Sequence, residues 1–154
     1  MGISFRPFNG ESDSGLISRF LVDAKELGGN PHEDPQKDCA AYIEHVAAAQ
    51  ARDPGFAAMM LDDGEVIGFV HCFPVKAKPE VGFLTFDYLV PERRGKGLGA
   101  HLMDYAVRTL KTCGCGRIAL EVSKNNAMAI AFYRKHGFET VKERDGILVM
   151  RKRI

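Results

Sequence analysis

The densest chemistry in this 154-residue chain lies in Tyr88-Leu89-Val90-Pro91-Glu92-Arg93-Arg94-Gly95-Lys96-Gly97-Leu98-Gly99-Ala100. A β-type run feeds three glycines at alternate positions, and a helical pattern follows. Glycine backbone admits close approach by a ligand, while a helix start presents unpaired N–H groups and partial positive charge. Such a combination binds phosphate or pyrophosphate. A nucleoside-triphosphate loop is ruled out, because Gly-x-x-x-x-Gly-Lys-Ser/Thr is absent. The glycines also lack the Gly-x-Gly-x-x-Gly spacing of a dinucleotide fold.

A second group lies downstream. Leu120-Glu121-Val122 is followed by Asn126-Ala127-Met128-Ala129-Ile130-Ala131-Phe132-Tyr133-Arg134-Lys135-His136-Gly137-Phe138. A phenol with an ordinary pKa of ~10 can protonate a thiolate whose own pKa is similar. A carboxylate such as Glu121 can take a proton from an ammonium, with Asp87, Glu80 and His71 as alternatives. His71 reads as a half-buried strand residue. The cysteines are Cys39, Cys72, Cys113 and Cys115. Cys113-Gly114-Cys115 lacks the second Cys pair or His partners of a zinc site, and nothing places a His beside a given thiol. No metal and no disulfide framework are expected, and the chain reads as reduced and cytoplasmic.

The elements that must position these groups follow from periodicity. Ile3 to Phe8 alternates as a strand ending near Pro7. Ser12 or Ser14 caps a helix carrying Leu16, Ile17, Phe20, Leu21, Ala24 and Leu27, closed at Gly28-Gly29-Asn30-Pro31. A weaker helix spans about Pro35 to Gln50. Strands at Phe56–Leu61 and Val66–Phe73 flank a hairpin turn at Asp62-Asp63-Gly64. Val81–Val90 is a long β-rich stretch. A helix from about Gly97 to Thr112 leads to a strand at Ile118–Val122. Asn126 opens a helix to about Lys135, and strands at Phe138–Lys142 and Ile147–Arg151 flank Asp145-Gly146.

Composition bounds the rest. With 45% hydrophobic and 27% charged residues the chain can fill one core. No apolar run approaches the ~18 residues of a membrane-spanning helix. Net charge is +1, but Met1–Glu65 holds 12 acids against 5 Lys/Arg, and Val66–Ile154 holds 8 against 16. The first part suits a cation, the second a polyanion. Basic residues are scattered and Trp is absent, which speaks against nucleic acid.

Arg94-Gly95-Lys96-Gly97-Leu98-Gly99 fits Arg/Gln-x-x-Gly-x-Gly/Ala, with Pro91 three residues earlier. Asn126 to Phe138 fits Asn-x-x-Ala-x-x-x-Tyr-x-x-x-Gly-Phe. With both motifs at this separation, and the element order over nearly the whole chain, the sequence resembles the GCN5-related N-acetyltransferase (GNAT) family. The resemblance implies a single α/β (α+β) domain over 1–154. Its mixed, mostly antiparallel sheet has about seven strands, with four helices and splayed central strands that hold acetyl-CoA. It implies that the backbone of Asp87, Tyr88, Leu89 and Val90 pairs with pantetheine. The amides of Gly95, Lys96, Gly97, Leu98, Gly99 and Ala100 would hold the pyrophosphate, with Arg94 alongside. Asn126 would bond the pantetheine arm and Tyr133 would protonate the leaving sulfur. Glu121 matches an acid that some members use as base.

The implied activity is direct acetyl transfer in a ternary complex to a primary amine, either a small cationic amine or a peptide N-terminus. The alternative is a non-catalytic acyl-CoA-binding module, which would have no use for a proton donor at Tyr133. No membrane or nucleic-acid partner is expected, and a homodimer stays open. The resemblance implies an acceptor pocket built by the first two helices and the region of the last two strands; the helices bring Glu26, Glu33, Asp34, Asp38 and Glu44, which suit a cationic amine.

Overall fold

In the computed structural model, which describes residues 2–27 and 35–154, the chain runs β1 (Ile3–Pro7), α1 (Ser14–Leu27), α2 (Pro35–Arg52), β2 (Ala57–Asp62), β3 (Glu65–Val75), β4 (Lys78–Leu89), α3 (Gly99–Thr112), β5 (Arg117–Ser123), α4 (Ala127–Lys135), β6 (Glu139–Arg144) and β7 (Ile147–Arg153). Short 3-10 turns at Pro54–Phe56 and Pro91–Arg93 precede β2 and α3. The seven strands form one mixed sheet in the order β1-β2-β3-β4-β5-β7-β6. Only the β4–β5 pair is parallel.

The expected order of elements is observed, with local shifts that have physical causes. Helix α1 begins at Ser14, so Asp13 precedes it instead of a serine cap. The Asp13 carboxylate turns back to Arg6 and to the N–H of Asn9. Phe56 belongs to a 3-10 turn, which the Asp53 side chain caps by accepting from the N–H of Gly55. Helix α3 starts two residues later than the periodicity suggests, because Gly97 has a positive φ and lies outside it. The two hairpin turns hold Asp63-Gly64 and Asp145-Gly146, all four residues at positive φ, as primed turns require. The expected helix end at 28–31 lies outside the described residues.

Two cores form, one on each face of the sheet. On one face Leu102, Met103, Ala106 and Leu110 of α3 and Ile130 of α4 pack on Leu84, Ile118, Leu120, Val122, Leu148 and Met150. On the other, Ile17 and Phe20 of α1 and Val46 of α2 pack on Ala57, Met59, Phe69 and Tyr88. Neighbouring side chains on a strand alternate between these faces.

Candidate active site

Strands β4 and β5 pair only over Val81–Leu84 and Arg117–Leu120. Beyond that point Phe86–Leu89 of β4 is paired to β3 alone, and Glu121–Ser123 of β5 to β7 alone. The cause is visible in the register. His71 faces Phe86 and Cys72 faces Leu84, so Thr85 is an extra residue on β4. Such a bulge bends its strand. The result is a wedge inside the sheet, with unpaired backbone on both walls.

At the mouth of this wedge sits the glycine-rich loop. Gly95 and Gly97 have φ of +77° and +80°, where a Cβ is strained. None of the N–H groups from Gly95 to Gly99 finds an acceptor among the described residues. The third glycine serves packing. A Cβ on Gly99 would meet the Phe132 ring at 3.1 Å, so any side chain there makes that ring shift. Arg93 anchors the loop from behind, 2.6 Å from Asp62 and 2.7 Å from Glu65 at the β2–β3 hairpin.

Arg94 reaches toward α1. Its Nε donates to the carbonyl of Leu89 at 2.8 Å and its Nη2 to Asp23 at 2.9 Å. The guanidinium lies over the Tyr88 ring at 5.3 Å. The same Asp23 oxygen accepts from the Tyr88 hydroxyl at 2.5 Å, and that ring stacks on Phe20. Burial pushes the Asp23 carboxyl up, but the bonds from Tyr88 and Arg94 outweigh it and leave it below its ordinary value. The sequence reading missed Asp23: it sits 71 residues from Arg94, and nothing local marks it.

On the other wall, Asn126 accepts from the N–H of Ala129 at 3.1 Å and so caps α4. That leaves its side-chain amide free to donate. Gly137, at φ +91°, ends the helix, and buried Phe138 folds back against Tyr133 with ring centroids 5.7 Å apart. Tyr133 is thereby aimed at β4, where its hydroxyl donates to Asp87 Oδ1 at 2.5 Å. Burial raises the Asp87 carboxyl above its ordinary value, which the bond from Tyr133 only partly offsets. Burial, then the neighbouring Asp87 charge, pushes the Tyr133 phenol well above its ordinary value. Asp87 was expected to contribute backbone or to stand as an alternative base; its side chain is the partner of the Tyr133 phenol.

Glu121 stands apart from that pair. Ile118, Leu120 and Val122 point to the α3–α4 core, so Glu121 faces the opposite side of the sheet, its side chain 47% exposed and 3.8 Å from Arg144. His71 is deeper than the half-buried residue expected, at 1% exposure. Its Nδ1 is hydrogen-bonded to the Tyr42 hydroxyl at 2.8 Å and its Nε2 has no partner. Burial, then the charge of His45, lowers it to about 4. Glu80 is exposed on β4, away from the wedge.

Four of the twelve acids in the first 65 residues are held in ion pairs with described residues. Asp13 pairs with Arg6, Asp23 with Arg94, and Asp62 and Glu65 with Arg93. Asp38 and Glu44 are exposed on α2. Glu33, Asp34 and the Glu26 side chain lie outside the described residues. Among the described residues no group of three or more His, Cys, Asp or Glu could hold a metal ion. Cys39, Cys72, Cys113 and Cys115 are free thiols. No helix among the described residues is long and apolar enough to cross a membrane.

A splayed parallel strand pair beside a glycine-rich helix start, with a phenol on the following helix, is the arrangement that the sequence resemblance implies. Residues 16–138 match the model of the Acetyltransferase (GNAT) family, and the chain belongs to that family. It is 32% identical over 148 residues to mycothiol acetyltransferase of Saccharomonospora viridis, covering 92% of this chain and 47% of that one. Over 92 residues it is 30% identical to N-alpha-acetyltransferase 30 of Schizosaccharomyces pombe, covering 55% and 58% of the two chains. The chain thus spans about half the length of these relatives. The fold is shared by the PaiA N-acetyltransferase of Thermoplasma acidophilum, solved in complex with coenzyme A, at a TM-score of 0.78 and 20% identity over the whole of both chains.

Proposed function

We propose that this chain transfers an acetyl group from acetyl-CoA to a primary amine, with both substrates bound at once. The observation that carries this reading is the wedge between β4 and β5, which opens beside five consecutive unpaired N–H groups at Gly95–Gly99. The amides suit a pyrophosphate, and the unpaired edges of Thr85–Leu89 and Glu121–Ser123 suit the amide-bearing pantetheine arm. Asn126 adds a side-chain donor on the same wall. Arg94 holds the loop to β4 and α1 in this reading, more than it neutralises phosphate.

Acetyl-CoA supplies an activated acyl carbon: as the amine nitrogen forms its bond to that carbon, the bond to sulfur breaks, and the ammonium sheds two protons in becoming an amide, one through a base to solvent and one that offsets the proton gained by sulfur. Glu121, on the open face of β5, takes the proton from the incoming ammonium. Tyr133, on the opposite side of the wedge, returns one to sulfur. While Asp87 is ionised, its charge holds the Tyr133 proton in place. Tyr133 gives its proton to sulfur and regains the second proton that nitrogen sheds, so Asp87 and the phenol end as they began. The two carboxylates and the phenol thus divide the proton traffic between the two faces of the sheet.

Release of CoA from acetyl-CoA in the presence of a panel of amines tests the reading. Amine-dependent release is expected. Tight acetyl-CoA binding without release for any amine would point to the acyl-CoA-binding module instead.

A further inference from the structure

We propose that the acceptor is an acidic peptide, a free N-terminus followed by Asp or Glu, laid along the uncovered face of β5, β7 and β6. The inference rests on the acyl-transfer reading above and names its second substrate.

The face is defined by register. Arg117 lies opposite Arg153, Ala119 opposite Arg151, Glu121 opposite Val149 and Ser123 opposite Ile147. On the next strand Glu139 lies opposite Arg151, Lys142 opposite Val149 and Arg144 opposite Ile147. Paired residues share a face, so five cations stand here against two carboxylates, Glu121 and Glu139. Arg144 is engaged by Glu121 at 3.8 Å. The other four, Arg117, Lys142, Arg151 and Arg153, form no ion pair with any described residue. Arg117, Lys142 and Arg151 are exposed at the rim of a half-buried floor made of Ala119, Val149 and Ile147, with Phe83 and Phe86 of β4 beside it. The packing of α1 and α2 falls on β2, β3 and the end of β4.

This arrangement dictates the acceptor's chemistry. Glu121 sits where the wedge opens, and among the described residues is the one carboxylate at that edge on this face. An amine held there lies within a few residues of Arg144, Lys142 and Arg151. From Glu121 to Arg117 along β5 is ~13 Å at ~3.3 Å per residue, the reach of about four extended residues. A small amine would touch only one end of that span. A polycation would be repelled along its length, which reverses the expectation drawn from the charge balance of the first 65 residues.

The test uses the full chain and three peptides that share an N-terminal Ala and length, with Asp-Glu, Ser-Gln or Lys-Arg at the next two positions. Free aspartate is the fourth acceptor. At low salt kcat/KM is expected to rank acidic above neutral above basic, with at least about tenfold between the extremes and a spread that narrows as salt is added. In the double variant Lys142→Glu, Arg151→Glu, at exposed and unpaired positions, the ranking is expected to invert while the KM for acetyl-CoA stays within about twofold. A wild type that prefers the basic peptide, or treats all three alike, overturns the inference and leaves the acyl-transfer reading standing. Free aspartate matching the acidic peptide overturns the peptide assignment. Absence of transfer to any amine, with acetyl-CoA bound, overturns both.

Discussion

The Tyr133 hydroxyl donates a hydrogen bond to Asp87 across 2.5 Å; the bond partly offsets the rise that burial imposes on the carboxyl, while the carboxylate pushes the phenol further up. The pair joins the helix of the second motif to the strand before the first, across 46 residues of sequence.

Replacing Tyr133 by Phe retains the ring that packs on Phe132 and Phe138 but removes the donor. Turnover is expected to fall by roughly 10²–10⁴, the share of one positioned acid or base. Acetyl-CoA affinity, read by calorimetry, is expected to stay unchanged. A loss under about threefold assigns sulfur protonation to water or another side chain.

Asp87→Asn separates charge from shape. Because the folded carboxyl lies above its unfolded value, the stability tied to it is present at low pH and is lost as pH rises through the folded value. The Asn variant is therefore expected to melt higher than wild type at pH 7 and to lose that advantage near pH 4. The Tyr133 phenol, relieved of a neighbouring negative charge, is expected to ionise at lower pH than in wild type. Labelled-tyrosine NMR reads the second effect independently of any activity.

Two loop glycines differ in kind. At Gly97 there is open space where a Cβ would be, so the constraint is its φ of +80° and the ligand's approach. Gly97→Val is expected to weaken CoA binding at least about tenfold, about 1.4 kcal/mol, with a modest loss of stability. Gly99→Val instead collides with Phe132 and is expected to destabilise by about 1–3 kcal/mol through overpacking. Thermal melts beside calorimetry distinguish the two; equal effects on both readouts would contradict the assignment.

His71, lowered to about 4, is neutral across the physiological range. A depressed folded pKa gives stability that is present above pH ~6.5 and is lost as pH falls toward 4. The shift corresponds to about 3 kcal/mol of acid sensitivity. His71→Asn, which can still accept from Tyr42, is expected to flatten the stability profile between pH 6.5 and 4. A variant with wild-type acid sensitivity would place the liability elsewhere.

The order of elements was legible because each is marked locally: alternation in Ile3–Pro7, Asp-Gly turns at both hairpins, a 3.6-residue period in α3. The glycine loop and the Asn126-to-Phe138 segment were legible for the same reason, since each is one short run with one geometry. Pairs distant in sequence were not. Asp23 meets Arg94 and Tyr88 only through tertiary packing of α1 on the end of β4. The Asp87 side chain meets Tyr133 because the bulge at Thr85 sets which face of β4 it occupies. Charge balance is coarse for a related reason. A sum over the first 65 residues does not register that Asp62, Glu65 and Asp23 sit against Arg93 and Arg94, which lie beyond it.

The wedge between β4 and β5 also makes folding a reporter of supply. Two strand edges inside a sheet lack their partners there, so whatever fills the gap supplies hydrogen bonds that the chain cannot make for itself. A ligand that binds only the folded form raises its stability by about 2.7 kcal/mol at a hundred times its Kd. The lifetime of this protein in a cell would then rise and fall with the concentration of the molecule that completes its sheet, and starvation for that molecule would lower the protein's abundance before any gene responded.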